Sequence, residues 1–324
     1  MDSVLLCPQI SIVAPLYNEE AIFPQLVSRL TTLMAQLAPI RVEIVLVNDG
    51  SRDQTPELMA DLARRDPRFH AVFLARNHGH QLALTAGLAH ARASEAIMVI
   101  DGDLQDPPEL VKDFYALFKQ GYDVVYAVRK KRKENFAKRA AYGLFYRILK
   151  QISYVDIPLD SGDFSMMSRR VVDLLNQMPE ESRYIRGMRS WVGFRQIGLE
   201  YEREARAAGE SKYSFRQLLG LAYNGIFNFS EFPIKIIKRI SYFAILISMI
   251  YFVVTLYKKF VLGAVPEGFT AILFTILFFS GLQLFFLGIL GEYVLRIFFQ
   301  VKGRPLFIVE KTIENGRTFP EKMP

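Results

Sequence analysis

The stretch AIMVIDGDLQDPPEL, residues 96–110, decides the fold. Its first half is a short apolar run bounded by polar residues, the pattern of a buried strand. The run ends in a turn bearing Asp101, Asp103 and Asp106, followed by Pro107 and Pro108, which suit the first turn of a helix. Carboxylates at i and i+2 on an extended turn can point to one side and share a hard cation, which takes oxygen ligands. Gln105 can add a neutral oxygen. Part of the turn has a second reading, in which Asp106 caps the helix that Pro107 opens.

The same strand-then-polar-turn pattern recurs upstream. ISIVAP (10–15), VEIVLVND (42–49), HAVFLAR (70–76) and, downstream, DVVYAVR (123–129) read as further strands. Residues 19–36, 53–65, 79–92 and 107–120 have amphipathic helical character, with Asp53 and Thr55-Pro56 as start signals for the second helix. Strands alternating with helices predict an α/β domain with a mostly parallel sheet covered on both faces. In such sheets ligands sit beyond the carboxyl ends of the strands. YNEE (17–20), NDGS (48–51), RNHGH (76–80) and DGDLQD (101–106) are all expected at that edge.

The composition changes along the chain of 324 residues. The first two hundred residues are ordinarily charged, whereas 240–300 are rich in Phe, Leu and Ile. Residues 240–257 and 268–291 contain no charged side chain. As helices these 18 and 24 residues would be roughly 27 and 36 Å long, against a hydrocarbon core of about 30 Å. Two buried core helices with so little polar surface would be unusual in a soluble chain. Lys235, Lys238 and Arg239 before the first span, and Arg296, Lys302 and Arg304 after the second, place both termini in the cytosol. The short connecting loop carries Lys258, Lys259 and Glu267. The expected organisation is a cytosolic domain over 1–213, interfacial amphipathic helices over 214–234, two transmembrane helices within 235–300, and a cytosolic tail over 301–324. The N-terminus lacks the basic region and apolar length of a signal peptide.

The net charge of +7 suits an anionic partner. A basic run, RKKRKENFAKR (129–139), is read as facing anionic headgroups or a lipid phosphate. No nucleic-acid module accompanies it, so no nucleic-acid partner is expected. With the single Cys7, an intrachain disulfide and a multi-cysteine metal site are excluded. The four histidines are not spaced as a metal site, and Glu292 is expected to pair with Arg296 at i+4. Self-association through the amphipathic and membrane segments is compatible with the sequence.

SIVAPLYNEE, VNDGSRDQT, RNHGHQLALTAG, DGDLQDPPEL and GESKY occur in the order and spacing of the family-2 inverting glycosyltransferases. The chain resembles that family, which has a GT-A (Rossmann-like) fold. More narrowly it resembles polyprenyl-phosphate glycosyltransferases, the group of dolichol-phosphate mannose synthases and bactoprenol glucosyltransferases. The likeness runs from about residue 9 to residue 307, through LGEYVLRIFFQVKGRP, and SGDF, RSWVGF and the two spans are most similar to bactoprenol glucosyltransferases. The resemblance implies that Pro15, Tyr17, Glu19 and Asp49 hold a nucleotide-sugar, Asp49 accepting from the base. Asp101, Asp103 and Gln105 would bind Mg²⁺ or Mn²⁺. Arg206 and Lys212 would neutralise the donor diphosphate, and Arg129 and Arg139 would grip the phosphate of a polyprenyl (undecaprenyl) phosphate acceptor. The catalytic set would be Asp103, Asp163 and Arg206, with Asp163 either a base or an orienting group for cationic side chains. The family often has an aromatic residue at the position of His78, and Ala or Val at that of Gly102. By resemblance the first choice of donor is UDP-glucose, with another UDP-hexose, a modified pentose or another NDP-sugar as the alternative, and the setting is the cytosolic face of the inner membrane. A processive polysaccharide synthase would carry a QxxRW motif, which RGMRSWVG (186–193) does not match, and a non-catalytic membrane scaffold would have no need of the intact DGD and GESKY.

Overall fold

The computed structural model describes residues 7–129, 158, 161–202, 232–263 and 268–320. Its organising feature is a nine-stranded sheet in the order β7-β5-β6-β4-β1-β2-β3-β8-β9. The strands are β1 (Ile10–Leu16), β2 (Val42–Asn48), β3 (Phe69–Leu74), β4 (Ala96–Val99), β5 (Val124–Arg129), β6 (Ser161–Ser168), β7 (Gln196–Tyr201), β8 (Val309–Glu314) and β9 (Arg317–Pro320). The pairings make β6 and β8 run against the other seven, so the sheet is mostly parallel, as expected. β1 to β4 are buried along their whole lengths, because helices cover both faces and leave no alternation of polar and apolar residues.

The helices are α1 (Phe23–Gln36), α2 (Thr55–Arg65), α3 (His80–His90), α4 (Val111–Lys119), α5 (Arg169–Gln177), α6 (Ile185–Trp191), α7 (Phe232–Phe260) and α8 (Phe269–Val301). In α1 the residues Phe23, Leu26, Leu30 and Leu33 recur at three- and four-residue steps and bury one face on the sheet. Each such side chain contributes about 1.5–3 kcal/mol. A proline in the first turn starts the helix where its missing N–H has no intrahelical partner to lose. α3 is different. Small residues, Ala83, Thr85, Ala86 and Gly87, let it lie close on β1 and β2, and six of its eleven residues are buried. This seating brings its first residues to the carboxyl edge of the sheet.

Two expectations about local structure are corrected. Residues 301–324 are not simply a tail, since β8 pairs antiparallel with β3, Ala71 facing Ile313, and β9 completes a hairpin beyond it. The two strands are short, and the partner of β8 lies far upstream, so no local periodicity marked them. Asp106 does not cap the helix after Pro107, because its carboxylate receives the hydroxyl of Tyr201 instead.

The chain divides into two compact units, one holding the sheet and residues 304–324, the other containing 219–303. In the second unit, α8 holds a 24-residue stretch, Phe278–Val301, long and apolar enough to cross a bilayer. The apolar stretch of α7, Arg239–Tyr251, is shorter. Glu292 and Arg296 pair as expected, with Oε1 2.9 Å from Nε.

Candidate active site

β1 to β4 run parallel, so YNEE, NDGS, RNHGH and DGDLQD emerge at one edge of the sheet, where hydrogen bonds and close backbone contacts lock them together. The first two are laced by hydrogen bonds. The Asn18 backbone N–H donates to Ser51 Oγ at 3.0 Å, and Asn18 Oδ1 accepts from Arg52 N at 2.9 Å. Glu19 N donates to Thr55 Oγ1 at 3.0 Å and Glu20 N to Asp53 Oδ2 at 3.1 Å. Pro15 is buried at the end of β1, Glu19 is half-buried and the Tyr17 ring is exposed at the rim.

The second cluster fixes the third through a role of Asp49 that the sequence did not announce. This buried carboxylate accepts from His78 N at 2.7 Å and Gly79 N at 3.0 Å. Burial pushes the carboxyl up, against the pull of these two amides. Next to it, Gly50 has φ +65°, and a Cβ there would stand 2.5 Å from Asn77 N. The two loops thus meet backbone to backbone, which only glycine allows.

The DGD turn lies on the end of β1. A Cβ on Gly102 would be 2.4 Å from Leu16 Cδ2 and 2.7 Å from the Pro15 carbonyl oxygen, so the larger residues that the resembled family often carries have no room here. Leu104 adopts φ 57°, a left-handed conformation that costs a side chain about 1–2 kcal/mol. The turn is held by Gln105 N donating to Asp103 Oδ1 at 3.1 Å. Strain of this kind persists where the surroundings over-determine it.

Asp163, at the start of β6, is brought within reach of Asp101 by the antiparallel β4–β6 pairing. Its carboxylate accepts from Gln81 Nε2 at 2.9 Å and from Arg186 Nε and Nη2 at 3.0 and 3.4 Å. His80 Nε2 lies 3.5 Å from Asp163 Oδ2 and 3.6 Å from Asp101 Oδ1. Burial opposes ionisation of Asp163, but Arg186 and His80 outweigh it and hold the carboxyl well below the usual range. Burial likewise disfavours the His80 cation, yet the two carboxylates push its pKa up to about 9. Gln81 also ties α3 to α6, its Oε1 accepting from Ile185 N at 2.9 Å. Arg129, at the end of β5, donates from Nε to Tyr201 Oη at 3.4 Å. Its Nη2 packs over Gly162, 3.2 Å from where a Cβ would stand.

Of the residues expected at the site, the edge thus gathers Pro15, Tyr17, Glu19, Asp49, Asp101, Asp103, Gln105, Arg129 and Asp163. Arg139, Arg206, Lys212, the basic residues 130–133 and the interfacial segment 214–231 lie outside the described residues. The sequence reading missed Gln81, Arg186 and Tyr201. They lie far apart in the chain without a recurring spacing, and no signal in a single sequence selects them.

Among the described residues no three His, Cys, Asp or Glu side chains are grouped so as to hold a metal by themselves. The chemistry of the donor set nevertheless fits a hard divalent cation. Asp101 is harder to ionise than an ordinary aspartate, chiefly through burial, which prevails over the opposing pull of His80, with the neighbouring charges of Asp106, Asp163 and Asp103 adding to it. A cation held by Asp101, Asp103 and Gln105 would relieve that repulsion with oxygen ligands, its remaining positions being left to oxygens of a bound molecule.

Comparison with known proteins gives relatives along nearly the whole chain. The family model described as glycosyl transferase family 2 matches residues 11–175. A Bacillus subtilis chain described as the uncharacterized glycosyltransferase YkcC is 42% identical over 97% of this chain and 98% of its own length. The SfII prophage-derived bactoprenol glucosyl transferase of Shigella flexneri is 38% identical over 94% of this chain and 98% of its own. A Synechocystis chain described as an uncharacterized glycosyltransferase is 38% identical over 93% and 94%. With a mostly parallel sheet of GT-A type, an aspartate pair at its carboxyl edge and relatives matched nearly end to end, this chain belongs to glycosyl transferase family 2.

Proposed function

We propose that the protein transfers a hexose, glucose from UDP-glucose, with inversion onto a polyprenyl (undecaprenyl) phosphate at the cytosolic face of the inner membrane. The observation that carries this reading is the near full-length match to bactoprenol glucosyl transferases. In the reaction, a phosphate oxygen of the lipid forms a bond to the anomeric carbon as the bond from that carbon to the UDP oxygen breaks, and UDP leaves with the electron pair. Mg²⁺ or Mn²⁺ would be held by Asp101, Asp103 and Gln105, and when bound it supplies charge stabilisation to the leaving diphosphate. Pro15, Tyr17, Glu19 and Asp49 form the nucleotide side, with Arg206 and Lys212 on the diphosphate and Arg129 and Arg139 on the acceptor phosphate.

A phosphate monoester, with a second pKa of about 6, is already largely dianionic at neutral pH. It needs positioning more than deprotonation. The hydrogen bonding of Asp163 supports the same view, because a carboxylate already accepting from Gln81 and Arg186 is a weak base. Its role in this reading is to orient Arg186 and His80 beside the aspartate pair.

In this reading α7 and α8 both cross the bilayer, a view supported by the uncharged stretches 240–257 and 268–291. Incubating the purified chain with undecaprenyl phosphate and a panel of radiolabelled nucleotide-sugars tests the proposal. Label from UDP-glucose is expected in the lipid extract, whereas label confined to polymer or water-soluble product would overturn the acceptor.

A further inference from the structure

The segment that follows α8 returns to the sheet beside the donor side of the candidate site. β8 pairs with β3 up to Leu74, opposite Val309. Beyond that pair the contact continues past the end of the strand, Ala75 N donating to Ile308 O at 2.9 Å. Ile308 N then donates to His78 Nε2 at 3.4 Å. The other side of loop 75–79 is held by Asp49, through the amides of His78 and Gly79, and by the close approach of Gly50 to Asn77. Loop 75–79 is therefore gripped from two sides, by the NDGS turn of β2 and by the chain returning after α8. Ile308 is 52% exposed, so its backbone, rather than burial of its side chain, makes these contacts.

We infer that Ile308 is a positioning residue for nucleotide binding, its backbone clamping loop 75–79 against Asp49 so that the donor site is completed by the C-terminal segment. This rests on the proposed nucleotide role of Asp49. A loop already fixed in its bound form spends less of the binding free energy on ordering. Residues 304–309 thus belong to the functional catalytic unit, and a domain ending at residue 213 would lack one wall of its donor loop.

The test uses the full chain in detergent, with UDP titrated by calorimetry and hydrogen exchange read on residues 75–79. Ile308→Ala keeps both backbone bonds and is expected to bind UDP as the native chain does. Ile308→Pro removes the N–H, and His78→Phe removes the acceptor while keeping a ring. Each is expected to speed exchange in the loop and to raise the UDP Kd and donor KM about 3- to 10-fold, the equivalent of one hydrogen bond. The kcat and the acceptor KM stay unchanged. Native donor KM and native exchange in His78→Phe, or in a folded Ile308→Pro, would overturn the inference. If the native chain binds no nucleoside diphosphate, the proposed function falls instead, and loop exchange in the same variants still decides the clamp.

Discussion

Replacing Asp163 by Asn separates the two roles open to this residue. The side chain is 5% exposed, and it faces Arg186, which is 27% exposed. The amide keeps the shape, but its NH₂ turns one acceptor into a donor facing Gln81 or Arg186, and the charge opposite the guanidinium disappears. Removing one partner of a buried ion pair costs about 3–5 kcal/mol, and partial solvent access to Arg186 lowers the expected loss here to about 2–4 kcal/mol. The sign of the pH dependence follows from the depressed folded-state pKa. The pair stabilises the fold above the ordinary aspartate pKa of about 3.9, and its contribution fades as pH falls further toward the folded-state value. The gap between native and Asp163→Asn stability should therefore be full at pH 7 and shrink in increasingly acid buffer. Denaturant unfolding of the detergent-solubilised chain at several pH values measures this directly. A variant with native stability at pH 7 and a kcat reduced by about 10²–10⁴, the worth of a general base, would refute the orienting role and restore Asp163 as a proton acceptor.

Asp103→Ala should abolish sugar transfer while leaving the protein folded and in the membrane fraction, as assayed by label transfer and sedimentation; near-native turnover with metal present would remove Asp103 from the site. Chelation by EDTA should stop transfer and added Mn²⁺ or Mg²⁺ should restore it, with activity that survives chelation arguing against a metal. Gly102→Ala would force a methyl against Leu16 and the Pro15 carbonyl, an overpacking worth about 1–3 kcal/mol, and should raise the donor KM. Tyr201→Phe removes the hydroxyl between Arg129 and the buried Asp106, which should lower stability by about 1–3 kcal/mol and raise the KM for polyprenyl phosphate.

Much of this architecture was legible because its signals are local. The β1, β2, β3 and β4 runs, each closed by a polar turn, give the parallel core, and the order of those turns puts Asp49, Asp101 and Asp103 on one edge. The pieces that escaped depend on distant partners. β8 is a strand because β3 has an open edge for it, and β6 is buried through β4 and β5 on either side, although SGDFSMMS has little strand character of its own. The roles of Gln81 and Arg186 arise from Asp163, which lies 82 and 23 residues away from them. Asp49 shows the same limit in another way. The family resemblance implied a ligand contact for it, whereas its hold on His78 and Gly79 depends on how two loops meet in space.

The central claim is that a hexosyl group, without phosphate, passes from the nucleotide to a lipid phosphate. The direct measurement is mass spectrometry of the lipid and nucleotide products made by the purified chain from UDP-glucose and undecaprenyl phosphate. The account predicts a lipid carrying one hexose and a single phosphorus, with one UDP released per lipid formed. A lipid diphosphate with release of UMP, or an unmodified lipid beside consumed UDP-glucose, would contradict it.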